Sequence, residues 1–229
     1  MIITAATPKG GTGKTTTMGL LASALLHAGN RVCLIDSDPN HLISDWVAGF
    51  PPEYSDRIEA VKVSKYDPPE ALGTLAREKA EGYEHVLIDL EGIGDARMNY
   101  AMINSDFVLV PMQPSAADEA AAAKVVSSIM EQNRVLRVPI RFAFLLNRVS
   151  GALVTRELTE IRARLEAGGV PLLVNALTDR EAFRRMFRLD LPLWDDGLNQ
   201  LSGIDKARAN VAAVISDLNQ MLAKEVEDA

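Results

Sequence analysis

Apolar residues fall in short unbroken runs, and longer segments of helical period separate them. Met1–Ala6, Arg31–Asp36, His85–Asp89, Phe107–Pro111 and Ile140–Asn147 are apolar almost throughout. Runs of this kind suit strands covered on both faces of a sheet. Ile58–Val63 alternates and predicts a weaker strand nearer an edge, and Leu172–Leu177 predicts a last short one. Between the strands the spacing predicts helices over Met18–Ala28, Leu42–Val47, Asp67–Glu81, Ala96–Asn104, Ser115–Asn133 and Thr155–Ala167. Another helix opens at Asp179 and carries Phe183, Met186 and Phe187, and the last runs over Ile204–Val226. Leu42, Ile43, Trp46 and Val47 share one helical face and are expected in the core, as are Met98 and Met102.

Local punctuation agrees with these boundaries. Gly29 follows the first helix as a C-terminal stop. Asp67-Pro68-Pro69-Glu70 reads as an N-cap aspartate, a proline at the first position and a glutamate three residues on. Ser115 and Asp118 form a near capping box. Strand and helix alternate to the end, without repeat or linker. The expectation is a three-layer, doubly wound α/β fold: a mostly parallel sheet with helices on both faces, in one domain over residues 1–229.

Composition narrows the class. Apolar residues make 48% and charged residues 24%, ordinary for a globular chain. The single Cys33 has no disulfide partner within the chain and sits in an apolar run. No run approaches a membrane span, and the chain opens directly on a strand, so a cytoplasmic protein is expected. His27, His41 and His85 have no metal-ligand spacing. Net charge is −7, but residues 131–190 hold 11 basic and 7 acidic groups, every basic one an arginine. Such a block is either a phosphate-contacting face or a set of solvated arginines paired with nearby glutamates.

The chemistry concentrates in Thr7-Pro8-Lys9-Gly10-Gly11-Thr12-Gly13-Lys14-Thr15-Thr16-Thr17, between the first strand and the first helix. Strand, glycine-rich turn and helix form the context of a phosphate-binding loop. Gly10, Gly11 and Gly13 let the backbone approach a phosphate, and successive N–H groups and the helix N-terminus make an anion site. Lys14 supplies a charge for the β- and γ-phosphates, and the Thr15 hydroxyl is placed for Mg²⁺. The general pattern wants a glycine six positions before the lysine, and Pro8 stands there. Asp36, Asp38, Asp89 and Asn147 end other apolar runs, where doubly wound sheets bind ligands.

The loop, with its second lysine at Lys9, resembles the deviant Walker A motif of the ParA/MinD family of P-loop ATPases. The resemblance implies ATP and Mg²⁺ as cofactors, bound by Lys9, Gly10, Gly11, Thr12, Gly13, Lys14, Thr15 and Thr16. It implies that Lys9 crosses a homodimer interface to the partner's nucleotide, tying hydrolysis to dimerisation. Val86-Leu87-Ile88-Asp89 resembles a Walker B strand, with Asp89 in the metal shell. Asp36-Ser37-Asp38-Pro39 resembles the second acidic motif, with Asp38 orienting the attacking water and Asp36 supporting the metal together with Thr15; the two aspartates can exchange these roles. Asn147 and Arg148 resemble the strand end that reads adenine. Leu90-Glu91 departs from the usual second switch loop.

Asp38-Pro39-Asn40 and Trp46 are similar to the small ParA group, and so is Val110-Pro111-Met112-Gln113-Pro114-Ser115. No helix-turn-helix precedes the loop, and the acidic end, Glu225 to Ala229, lacks the basic amphipathic helix of a membrane anchor. That group segregates plasmids, positions other cargo or assists DNA transfer. The resemblance therefore implies an ATPase whose ATP dimer binds non-specific DNA, and a ParB-like or cargo-adaptor protein that stimulates slow hydrolysis. Arg156, Arg162, Arg164, Arg184, Arg185 and Arg188 are the candidate DNA contacts, and a nucleoid association follows if they bind. The alternatives are a metabolic P-loop synthetase, or a regulatory module that holds nucleotide with little hydrolysis.

Overall fold

The computed structural model describes residues 1–92, 94, 96–150 and 156–227, the side chains of 156, 157 and 224–227 excepted. Its strands are β1 (Ile2–Ala5), β2 (Val32–Ser37), β3 (Ile58–Lys62), β4 (His85–Leu90), β5 (Phe107–Met112) and β6 (Phe142–Leu146). They form one sheet in the order β3-β2-β4-β1-β5-β6, with every pair parallel. The helices are α1 (Lys14–His27), α2 (Leu42–Ala48), α3 (Pro69–Ala80), α4 (Ala96–Ile103), α5 (Ala116–Asn133), α6 (Arg156–Ala167), α7 (Glu181–Arg188) and α8 (Ile204–Glu227).

Alternate strand residues feed two separate cores. Ile3, Leu34, Leu87, Leu109 and Leu145 point to one face and pack with residues of α1, α2, α7 and α8. Cys33, Ile35, Val86, Ile88, Val110 and Leu146 point to the other and pack with residues of α3, α4, α5 and α6. Period-2 alternation with both sides apolar is what a parallel sheet between helix layers requires. The alternating Ile58–Val63 segment is the edge strand β3, as its pattern predicts.

The register fixes where chemistry is possible. Ala5 lies opposite Asp89, and Asp89 opposite Asp36. The carboxyl ends of β2, β4 and β1 therefore form one row, with the loop of residues 7–13 springing from its β1 end.

Three boundaries differ from the sequence expectation. Helix α1 begins at Lys14, so Lys14 to Thr17 occupy its first turn. Asp67 does not cap α3: its carboxylate accepts the Ser64 N–H at 2.9 Å, and Pro68 takes the cap position. Residues 172–177 do not form a strand; isolated bridges join Leu172 to Phe144 of β6 and Thr178 to Val149 beyond it. Asn175 explains the break, because its N–H and side-chain amide both turn to Asp217 on α8 instead of to a ladder.

Candidate functional site

Gly11 and Gly13 have φ of 78° and 99°, which lets the chain curl around an open centre before α1 begins. Lys14 is buried in that first turn, and its ammonium donates to the Lys9 carbonyl at 3.2 Å. Burial pulls the Lys14 pKa down, while the carboxylates of Asp89, Asp38 and Glu91 pull it back up. Those three groups place negative charge around the lysine from β4, β2 and the loops that follow them.

Asp89 is 1% exposed, and among the described residues neither of its oxygens meets a donor at full hydrogen-bond geometry. Burial raises its pKa to about 7; the neighbouring Thr15 hydroxyl lowers it, and the Asp36 charge raises it further. A buried carboxylate with free lone pairs beside a hydroxyl fits a cation that takes few protein ligands, as Mg²⁺ does. Among the described residues no three His, Cys, Asp or Glu side chains form a metal cage, so any such ion would complete its shell with phosphate and water.

Asp36, expected in the metal shell or at the attacking water, anchors backbone in this structure. It is fully buried, and its oxygens accept the Asp38 N–H at 3.1 Å and the Ser44 N–H at 3.0 Å. It ties the loop after β2 to the start of α2. Asp38 reaches the half-exposed position beyond it, where one oxygen accepts both the N–H and the side-chain amide of Asn40 at 2.9 Å.

Lys9 lies within its own chain's reach. Its ammonium is ion-paired with Asp118, whose second oxygen accepts the Gln113 N–H at 2.9 Å. Burial would raise the Asp118 pKa, but Lys9 and the Gln113 N–H hold it below the usual carboxylate range. Ser115 caps α5 as its spacing predicts, accepting the Asp118 N–H at 3.2 Å.

Behind the loop, Gly92 packs backbone to backbone on Gly10. A Cβ at Gly92 would stand 2.7 Å from the Gly10 Cα, so no side chain fits there. The segment following Asp89 therefore rests directly on the phosphate loop.

Asn147 is only 3% exposed, and its amide faces the loop. Nδ2 donates to the Thr12 carbonyl at 3.1 Å, and Oδ1 accepts the Arg148 N–H at 2.8 Å. Asn147 also lines a cavity of about 450 Å³, together with Thr16, Leu42, Arg148, Thr178, Asp179, Arg180, Phe183, Arg184 and Phe187. Its volume and mixed apolar and polar walls suit a nucleoside-sized group. Leu42 was expected in the core but is 54% exposed at this mouth, because the left-handed turn at His41 rotates the start of α2 outward. Leu42, Thr178 and Phe187 carry no motif, and only the fold gathers them. A groove of about 490 Å³ between α1 and α8 lies at the far end of α1 from the loop, where among the described residues His27 is the only ionisable group lining it.

The arginine block does not form one patch. Helix α6 packs in one core through Leu158, Ile161 and Leu165, and α7 in the other through Phe183 and Met186. The sheet thus separates Arg162 and Arg164 from Arg184, Arg185 and Arg188. Arg164 is bound bidentate to Glu119 at 3.1 and 2.8 Å, and Arg184 pairs with Asp179 and Glu181. Arg185 is half-buried and Arg188 exposed; the side chain of Arg156 lies outside the described residues.

Comparison with known proteins places this geometry. The family model described as "VirC1 protein" matches residues 1–229. Protein ParA of Rhizobium radiobacter is 30% identical over 226 residues, covering 96% of this chain and 99% of that protein. Maintenance of carboxysome distribution protein A of Halothiobacillus neapolitanus is 27% identical over 209 residues, 90% of this chain and 93% of its own length. Among solved structures, a Cyanothece McdA variant in complex with ATP superposes with a TM-score of 0.75 at 15% identity, over 95% of this chain and 96% of that one.

Proposed function

We propose, from the premise that this chain belongs to the VirC1 family within the ParA/MinD-type P-loop ATPases, that it is an ATP-driven dimerising switch that segregates or positions an intracellular cargo. The observation that carries this reading is the meeting of Lys9, Lys14, Asp38 and Asp89 around one glycine loop.

The loop N–H groups from Gly10 to Thr16 and the Lys14 ammonium hold the β- and γ-phosphates. Mg²⁺, held by Thr15 and Asp89, would neutralise charge developing on the phosphates. Asp38 orients the attacking water, and Asp36 holds Asp38's loop in place. Lys9 leaves Asp118 and reaches the partner's nucleotide in a homodimer, so that ATP becomes part of the interface. The base lodges in the cavity edged by Leu42, Thr178 and Phe187, with Arg148 at its rim.

The names of the relatives support a cargo-positioning role: one is Protein ParA, and another is named for the maintenance of carboxysome distribution. DNA binding, a ParB-like or cargo-adaptor partner, and cytoplasmic location belong to the same reading. Among the described residues no helix is long and apolar enough to cross a membrane. Arg162, Arg185 and Arg188 are the foremost DNA contacts, since none of them makes an ion pair among the described residues.

Purified protein is sedimented with ATP, ADP or no nucleotide, with and without duplex DNA, and phosphate release is followed. The expected result is slow release, an ATP-specific dimer, and DNA binding that falls steeply with salt. Absence of phosphate release overturns the ATPase. A dimer that ignores DNA at low salt removes the DNA part and leaves a protein cargo.

A further inference from the structure

The carbonyls of the phosphate loop are held from behind by two side chains on neighbouring strand ends. Gln113, just past β5, donates its side-chain N–H to the Gly11 carbonyl at 2.9 Å. Asn147, just past β6, donates to the Thr12 carbonyl at 3.1 Å. The two strand ends are themselves joined, since the Asn147 N–H donates to the Met112 carbonyl at 2.8 Å.

In a trans peptide the C=O and the following N–H point in opposite directions. Pulling the Gly11 carbonyl outward turns the Thr12 N–H the other way, and pulling the Thr12 carbonyl does the same for the Gly13 N–H. We infer that Gln113 and Asn147 are positioning residues that preset these two peptide planes, so that both donors face the phosphates before nucleotide arrives. This rests on the nucleotide-site reading above. The amide of Asn147 also stands where a Cβ on Gly13 would lie, so residue 13 is glycine for the sake of this tie as well as for its φ of 99°. Asn147 thereby acts on the triphosphate through the loop, besides lining the cavity next to it.

The test compares wild type with Gln113→Ala and Asn147→Ala for binding of ATP and GTP, and for competition against ATP by inorganic tripolyphosphate. Each variant loses one hydrogen bond that orients a donor, so affinity for all three ligands falls together by about fivefold to tenfold, with the ATP-to-GTP ratio unchanged. Gln113 sits half-exposed, and its variant retains the wild-type unfolding midpoint without nucleotide, which separates loop setting from folding. An Asn147→Ala loss confined to ATP overturns the inference and makes Asn147 a base reader. Unchanged tripolyphosphate competition in Gln113→Ala also overturns it, as does wild type that binds ATP but is blind to tripolyphosphate. Wild type that binds no triphosphate removes the nucleotide reading itself.

Discussion

The ammonium of Lys9 is paired with the carboxylate of Asp118 in the same chain, 109 residues away. The lysine is 43% exposed and the aspartate 2%, so the pair sits at the rim of the site with its acid rooted in α5. A lysine committed to its own chain is not available to a second molecule's nucleotide. Asp118→Asn keeps an acceptor for the Gln113 N–H but releases Lys9. A half-exposed pair contributes about 1 kcal/mol and the homodimer opens two of them, so the ATP-dependent dimer should strengthen by about thirtyfold. Sedimentation velocity at fixed ATP checks this, and a dimer constant equal to wild type would mean the pair does not compete with dimerisation.

Asp89 gives stability an unusual pH dependence. Its pKa of about 7 in the folded chain lies above the ordinary 3.8, so the folded state binds the proton more tightly than the unfolded state. Its contribution is fully present below about pH 4 and is lost as pH rises through about 7, opposite in sign to a salt-bridged carboxylate. In metal-free protein, the melting temperature of wild type should fall relative to Asp89→Asn between pH 5 and pH 8 by thermal denaturation (the two pH values being roughly those that bracket the window). A constant difference across that range contradicts the raised pKa.

Cys33 should be inert in the folded chain. It is fully buried in β2, and burial, with Glu59 nearby, pushes its thiol up to about 12. A thiol-specific chromogenic reagent at mildly alkaline pH should react only after denaturant is added. Stoichiometric labelling of the native protein would show that β2 opens.

The arginines should divide by ion pairing. Arg185→Ala and Arg188→Ala on α7 should each weaken DNA binding and lower its salt slope by about one. Arg164→Ala should leave DNA binding near wild type, because Glu119 already neutralises that guanidinium. Titrations of labelled duplex at several salt concentrations make the comparison, and equal losses at all three positions would argue that the Glu119 pair does not withhold Arg164 from DNA.

The sheet was readable because every strand except the edge strand β3 is buried on both faces and its apolar run is unbroken, as in Val32–Ile35 and Val86–Ile88. The phosphate loop was readable because three glycines and two lysines fall within Lys9–Lys14, between a strand and a helix. The Lys9–Asp118 pair was not, since nothing local in Ser115-Ala116-Ala117-Asp118 distinguishes a cap from a counter-ion for a distant lysine. Asn147 resembled an adenine-reading strand end, and only the approach of Gly13 reveals that its amide bonds the loop. The arginine block looked continuous because sequence proximity hides the sheet that separates α6 from α7. Residues 172–177 read as a strand because their apolar pattern is blind to Asn175 bonding α8.

Gly92 and Gly10 meet without a side chain between them, three residues downstream of Asp89. Contacts made through side chains can absorb a small displacement by changing rotamer, but two touching backbones cannot. The pair is built like a cam and its follower: a displacement of Gly10 toward Gly92 meets no side chain that could absorb it. The same bare contact limits how this sequence can drift, because a methyl group at position 92 would hold the follower off its track.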